Sequence, residues 1–303
     1  MSEVNVLLIA GTHGNEVNGP WLFDQWEKNL DLVKTSGITL SKVIGNPIAR
    51  EVCKRFVDCD LNRSFSSELW DSFNSKHYEI KRAQELFNLY GPEGQNPCQI
   101  AIDFHSTTSA MGGSLVVYGR RFADLALASL IQFRLGLPIY LHEGNPDQNG
   151  FLVESWPCGL VVEIGPVPQG LIHQRIISQT RLILEVCLEE LAKFQTENAL
   201  FPKAITVHRH LKNIDFPRDE KGFPDSFIHE NLQNKNWFPI NIGHPLFQSA
   251  NGMIHRLSEI DSVVPVFINE AAYIEKNIAF AFTKRERWPF NDKWMMALKE
   301  LII

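Results

Sequence analysis

The chain has no basic tract, and its 29 Lys and Arg are outnumbered by 35 Asp and Glu. Nucleic-acid affinity rests mainly on lysine and arginine neutralising phosphates, so a nucleic-acid partner is excluded. Long apolar runs are missing as well. Charges interrupt even stretches such as residues 123–133, which contain Asp124, and no membrane span is expected. The N-terminus carries Glu3 where a signal peptide needs base, and the first Lys or Arg is Lys28, so no signal peptide is readable. Cysteine is scarce: Cys53, Cys59, Cys98, Cys158 and Cys187 are odd in number and contain no C-x-x-C. That pattern fits packing thiols in a reducing, cytoplasmic compartment. There is no G-x-S-x-G elbow, no Walker loop and no dinucleotide fingerprint after the first strand, which sets aside serine-hydrolase and nucleotide chemistry.

What is present is a chain of ordinary globular composition, 44% hydrophobic and 21% charged with a formal charge of -6. Its 303 residues suffice for one large or two unequal domains with a sizeable core. Residues 4–10 form an apolar run ending at Gly11-Thr12-His13-Gly14-Asn15-Glu16, a buried strand feeding a polar loop. A helix is expected from Gly19-Pro20, with Leu22, Trp26, Leu30 and Val33 on one face. Further strands are expected at residues 100–104, 114–118 and 160–164, and a long helix from Ile176 through Thr180, Leu184, Cys187, Leu191 and Phe194. Strand, loop and helix in this order are the unit of an α/β sheet. Beyond residue 199 the texture turns to short β-like pieces among turn signals, so the expected division is an α/β domain over residues 1–198 and a smaller strand-rich domain over residues 199–303.

Four segments carry candidate chemistry, each with a plainer reading beside it. His13-x-x-Glu16 lets an imidazole and a carboxylate converge on one ion if the turn is tight, and is equally a solvated polar loop. In Asp103-Phe104-His105, strand alternation puts Asp103 and His105 on one face, where the carboxylate can orient a ligating ring; the alternative is a hydrogen-bonded core histidine. Glu163 ends an apolar strand, where an unpaired carboxylate is costly unless it has a partner or a task. Arg55, Asn62 and Arg63 lie in a run interleaved with Asp58 and Asp60, suited either to gripping a carboxylate or to a structural salt-bridge cluster. His208 and His210 have no accompanying constellation and read as ordinary polar residues.

The segments G-T-H-G-N-E at 11–16, D-C-D-L-N-R at 58–63, D-F-H-S-T-T-S at 103–109, V-E-I-G-P-V-P-Q-G at 162–170 and N-E-A-A-Y at 269–273 together resemble the aspartoacylase family, in its aspartoacylase/aminoacylase-3 branch of zinc-carboxypeptidase-like deacylases. The resemblance runs from residue 4 to about residue 282. It implies a mixed sheet with flanking helices and a C-terminal domain overhanging the site. It also implies one Zn2+ per chain on His13, Glu16 and His105, with Asp103 behind His105 and Glu163 as general base. Arg55 would polarise the substrate carbonyl, and Asn62, Arg63, Tyr273 and Lys276 would contact the substrate. The implied reaction is deacylation of a small N-acyl-L-amino acid, with N-acetyl-L-aspartate foremost. Two departures bear on specificity: no arginine occurs between Leu141 and Glu163, and Lys276 is followed by Asn277 where the family tends to have a second lysine. Both remove positive charge that would hold an aspartate side chain. Rival readings are a deacylase for N-acetylated aromatic or succinylated amino acids, a carboxypeptidase, and, more remotely, a non-catalytic zinc-binding protein. The sequence is compatible with a homo-oligomer and does not define one.

Overall fold

The computed structural model of the chain describes residues 5–71, 76–143, 149–259 and 261–302. Val4, where the first strand was expected to begin, lies outside them. The strands are β1 (Asn5–Ala10), β2 (Thr39–Ile44), β3 (Ile100–Ser106), β4 (Gly113–Tyr118), β5 (Ile139–His142), β6 (Cys158–Ile164), β7 (Ala204–Ile214), β8 (Ser226–Ile228), β9 (Ile240–Asn241), β10 (Pro245–Ser249), β11 (Ile254–Arg256), β12 (Ser262–Val266) and β13 (Phe280–Pro289). The helices are α1 (Asn18–Lys28), α2 (Pro47–Glu51), α3 (Ser67–Trp70), α4 (Tyr78–Tyr90), α5 (Phe122–Leu135), α6 (Gln174–Gln195) and α7 (Asp292–Ile302).

Among the described residues, ten strands form one mixed sheet in the order β2-β1-β3-β6-β4-β5-β7-β13-β12-β9. Its first half is parallel, and the direction reverses between β6 and β4. Residues Val6 to Ala10 of β1 are wholly buried, as a central parallel strand covered on both faces requires. Alternation divides them between two cores. Val6, Leu8 and Ala10 join the cluster under α1, α5, α6 and α7, while Leu7 and Ile9 join the cluster that includes Leu61, Ala83, Leu86 and Trp156. A three-stranded sheet, β11-β10-β8, packs a third cluster around Phe247, Phe280 and Phe282.

One expectation is corrected here. The first helix stops at Lys28, and Leu30 is 75% exposed rather than on its buried face. Asn29 leaves the helical conformation and its side chain accepts from the Asp31 N–H, starting a short 3-10 turn, the usual way an asparagine competes with a helix. The strand-rich final third also holds a helix. It ends in α7, whose Trp294, Leu298 and Ile302, at four-residue steps, bury against the same core as α5. The large sheet runs through residue 199 without a break, since β7 pairs in parallel with β5 and in antiparallel with β13.

No helix among the described residues is long and apolar enough to cross a membrane. All five cysteines are free, and Cys98, Cys158 and Cys187 are buried.

Candidate active site

The C-terminal ends of β1, β3 and β6 lie side by side, so the loops leaving them converge. Glycine enables one of these loops through space alone. A Cβ on Gly14 would sit 2.1 Å from the Ala49 carbonyl carbon, so only glycine lets the loop lie against α2. The Gly14 N–H then donates to the Arg55 carbonyl at 3.1 Å, tying the two loops together.

That closure brings His13, Glu16 and His105 to one point, with one ligand atom from each lying within 4.8 Å of the others. Glu16 Oε1 is 2.6 Å from His13 Nδ1 and Oε2 is 3.1 Å from His105 Nδ1. The Ser106 N–H donates to the same carboxylate at 2.8 Å. Both rings turn the other nitrogen to a carboxylate: His105 Nε2 to Asp103 Oδ2 at 2.7 Å, and His13 Nε2 to Asp60 Oδ1 at 3.0 Å. The Thr12 hydroxyl in turn donates to Asp103. Such a carboxylate holds the proton on Nε2 and leaves Nδ1 bare for a metal. Two bared imidazole nitrogens and a buried carboxylate are the donor set of a catalytic zinc site, which keeps a further position open. The residues therefore fit the ion.

The electrostatics agree. Burial works to raise the Glu16 carboxyl, but His105 and His13 outweigh it and hold it far below the usual range. Burial opposes charge on His105, and Asp103 with Glu16 outweighs that too, so positive charge is favoured at this point. Glu163 behaves oppositely. Burial pushes its carboxyl up, Glu16 and Glu270 add to the shift, and His105 and Arg55 only partly offset it.

His13, Arg55, Asn62, Arg63, His105, Glu163 and Tyr273 line one pocket, and Glu16 lines a second recess that shares His13, Arg55, Glu163 and Tyr273 with it. Asp103 lies behind His105, away from the pocket surface. Lys276 is not among the lining residues of either cavity; it is about a third exposed, with Nζ 4.0 Å from Asp60. Arg55 donates to Asp60 at 3.1 Å and approaches Glu16 at 3.7 Å; burial opposes its charge, and these two carboxylates outweigh it. Asn62 is oriented by the Leu152 N–H, which its Oδ1 accepts at 2.9 Å, so its NH2 is the group left for a ligand. Arg63 lies 3.9 Å over the Phe151 ring and donates to the Asn62 carbonyl at 2.7 Å.

Several residues at the site were not singled out by sequence. Asp60, read as structural beside Asp58, is the orienting partner of His13. Asp58 does have the plainer role, accepting from the Tyr78 N–H. Glu79, fully buried, accepts from the N–H groups of Val57, Asp58 and Cys59 and so shapes the loop carrying Arg55 and Asp60. Glu270 accepts from the Thr107 hydroxyl and from the N–H groups of Thr108 and Ser109, fastening the 271–276 turn that carries Tyr273 onto the loop after β3. Of the two histidines read as isolated, His210 is corrected as well. His210 Nδ1 is 2.9 Å from the Tyr140 hydroxyl, and its ring is 5.3 Å from that of His142, which lines the pocket with Tyr118, Tyr140 and Phe151.

Comparison with known proteins extends these observations. Residues 2–191 match the family described as succinylglutamate desuccinylase/aspartoacylase catalytic domain, and residues 203–285 match the AstE/AspA barrel-sandwich hybrid domain. A Prochlorococcus marinus protein named "Probable aspartoacylase" is 58% identical over 100% of this chain and 99% of its own length. A Synechococcus protein of the same name is 53% identical at the same coverage. Among solved structures, murine aminoacylase 3 superposes with a TM-score of 0.85 at 30% identity, covering 95% of this chain and 97% of its own. The succinylglutamate desuccinylase of Vibrio parahaemolyticus shares the fold at a TM-score of 0.64 and 15% identity, covering 94% and 83%.

Proposed function

The chain belongs to the succinylglutamate desuccinylase/aspartoacylase family, and from that premise we propose that it is a zinc-dependent amide hydrolase deacylating an N-acyl-L-amino acid, with N-acetyl-L-aspartate as first candidate, giving acetate and L-aspartate. The observation that carries the reading is the convergence of a carboxyl raised by burial, Glu163, and a charged guanidinium, Arg55, on the pocket faced by His13, Glu16 and His105. A module that only bound metal would have no use for Glu163 there.

His13 and His105 through Nδ1, and Glu16 through its carboxylate, would hold the zinc. When bound, that ion acidifies water and polarises the acyl carbonyl. The chain's own groups do the rest. Glu163 accepts the proton of the attacking water on its carboxylate and returns it to the departing amine nitrogen, acting in turn as general base and general acid. Arg55 donates to the amide oxygen as negative charge develops there, and its anchoring by Asp60 means little reorganisation is needed. The Asn62 NH2, Arg63 and the Tyr273 hydroxyl hold the substrate carboxylate, with Lys276 adding charge nearby, so that the amide sits within reach of Glu163.

The aromatic lining from Tyr118, Tyr140, Phe151, Phe267 and Tyr273 favours a second reading, a deacylase for N-acetylated aromatic amino acids. Succinylated amino acids and C-terminal peptides are further candidates in the same chemistry. A panel of N-acyl amino acids assayed on the zinc-loaded protein and ranked by kcat/KM separates them. The expected ranking places N-acetyl-L-aspartate above its alanine and phenylalanine counterparts, and a ranking led by the phenylalanine derivative would move the assignment to the aromatic substrate.

A further inference from the structure

On the deacylase reading above, we propose that His142 is a specificity-determining residue, donating from Nε2 to the side-chain carboxylate of an acidic acyl amino acid in place of the arginine that this chain lacks between Leu141 and Glu163. His142 closes β5 and lines the pocket, yet only 8% of its surface is exposed. Its Nε2 is enclosed and has no hydrogen-bond partner among the described residues, so a ligand group reaches it only as the pocket wall gives way. A buried polar atom left unpaired is costly, which makes it a candidate for pairing with a ligand.

The surroundings say which ligand. His142 Nδ1 faces the Tyr140 hydroxyl at 3.5 Å, and that hydroxyl is 2.9 Å from His210 Nδ1. A relay in which His210 donates to Tyr140 and Tyr140 donates to His142 Nδ1 leaves the His142 proton on Nε2, as a donor. A carboxylate selects that arrangement. The ring is held by Tyr118 at 5.7 Å and by Phe151 at 5.5 Å, and Phe151 also carries the Arg63 guanidinium 3.9 Å from its ring centre. His142 thus sits one aromatic ring away from a fixed cation. Burial, with His210, Arg63 and Lys276 adding, pushes its imidazole down to about 4, so the free protein holds it neutral in positive surroundings that an incoming anion would relieve. An aromatic substrate side chain would leave Nε2 unpaired and bring no compensating charge.

The test uses the full chain loaded with zinc, comparing wild type with His142→Ala and His142→Gln on N-acetyl-L-aspartate, N-acetyl-L-alanine and N-acetyl-L-phenylalanine. His142→Ala is expected to lower kcat/KM for the aspartate substrate about 10- to 100-fold, the worth of one charge-assisted hydrogen bond. The alanine substrate should stay within about threefold, and Gln, which keeps a donor, should recover part of the loss. An unchanged ratio of aspartate to alanine, or an equal loss on both, overturns the assignment and leaves deacylation standing. A wild-type protein that hydrolyses no N-acyl amino acid overturns the deacylase reading and this inference with it. Should the variants fail to fold, the His142 imidazole resonance of the wild type under titration with L-aspartate and L-alanine decides: a shift with aspartate alone supports the contact, and no shift, or the same shift with both, overturns it.

Discussion

The Nε2 atoms of His13 and His105 each meet a carboxylate. Asp103 and His105 are two residues apart on a strand, so alternation alone puts them on one face. Asp60 reaches His13 across 47 positions through a loop that Glu79 shapes, and no periodicity encodes such a contact. Asp60→Asn is expected to weaken zinc binding about 10- to 100-fold, read by competition with a chelator of known affinity. An unchanged zinc affinity would show that His13 needs no such orientation. Lys276 carries a different expectation. Burial and Arg63 push its ammonium down to about 8, with Asp60 opposing, so it is cationic below that pH and neutral above it. KM for an anionic substrate should therefore climb as pH rises through about 8, and Lys276→Arg should flatten the climb. A profile identical in the two proteins would exclude Lys276 from binding.

Single elements were legible where their pattern is local. β1, β3, β6 and α6 follow from apolar runs and helical spacing. The grouping of Tyr118, Tyr140, His142 and His210 was not, because it arises from strand pairing: β4 sets Tyr118 against His142, and β5 pairs with β7, which carries His210. Residues nearly seventy positions apart become neighbours only once the strand order is known. Helix α5 shows a separate cost. Asp124 in its first turn is fully buried, accepting from the Gly159 N–H at 2.8 Å and from Arg121 at 2.7 Å. Burial nevertheless raises its carboxyl from 3.8 to about 6. The unfolded chain gives up this proton at lower pH than the folded one, so the contribution is most favourable below about 4 and is lost as pH rises to about 6. The loss is roughly 3 kcal/mol by linkage. Asp124→Asn should remove that slope while keeping an acceptor for Gly159, measured as the difference between denaturant-unfolding curves of variant and wild type from pH 4 to 7. A difference that does not vary with pH would contradict the buried titration.

At the scale of the whole molecule, the excess of acid over base lies in residues 1–198, whereas Arg55 and Arg63 line the pocket at the proposed zinc site and Lys276 lies 4.0 Å from Asp60 beside it. Net charge excludes a polyanion and says nothing against a small anion held by local cations. Because the ligand set joins the loop after β1 to the end of β3, zinc binding should stabilise the fold, by about 4 kcal/mol when free zinc exceeds its Kd a thousandfold. Thermal unfolding with and without the metal reads this directly, and His105→Ala should abolish the shift. The most direct test of the proposed chemistry is Glu163→Gln, assayed for amino acid release beside a measurement of bound zinc. The expected result is a loss of kcat of about a hundredfold or more with zinc content unchanged. Turnover within a few-fold of wild type at full zinc occupancy would contradict Glu163 as the base.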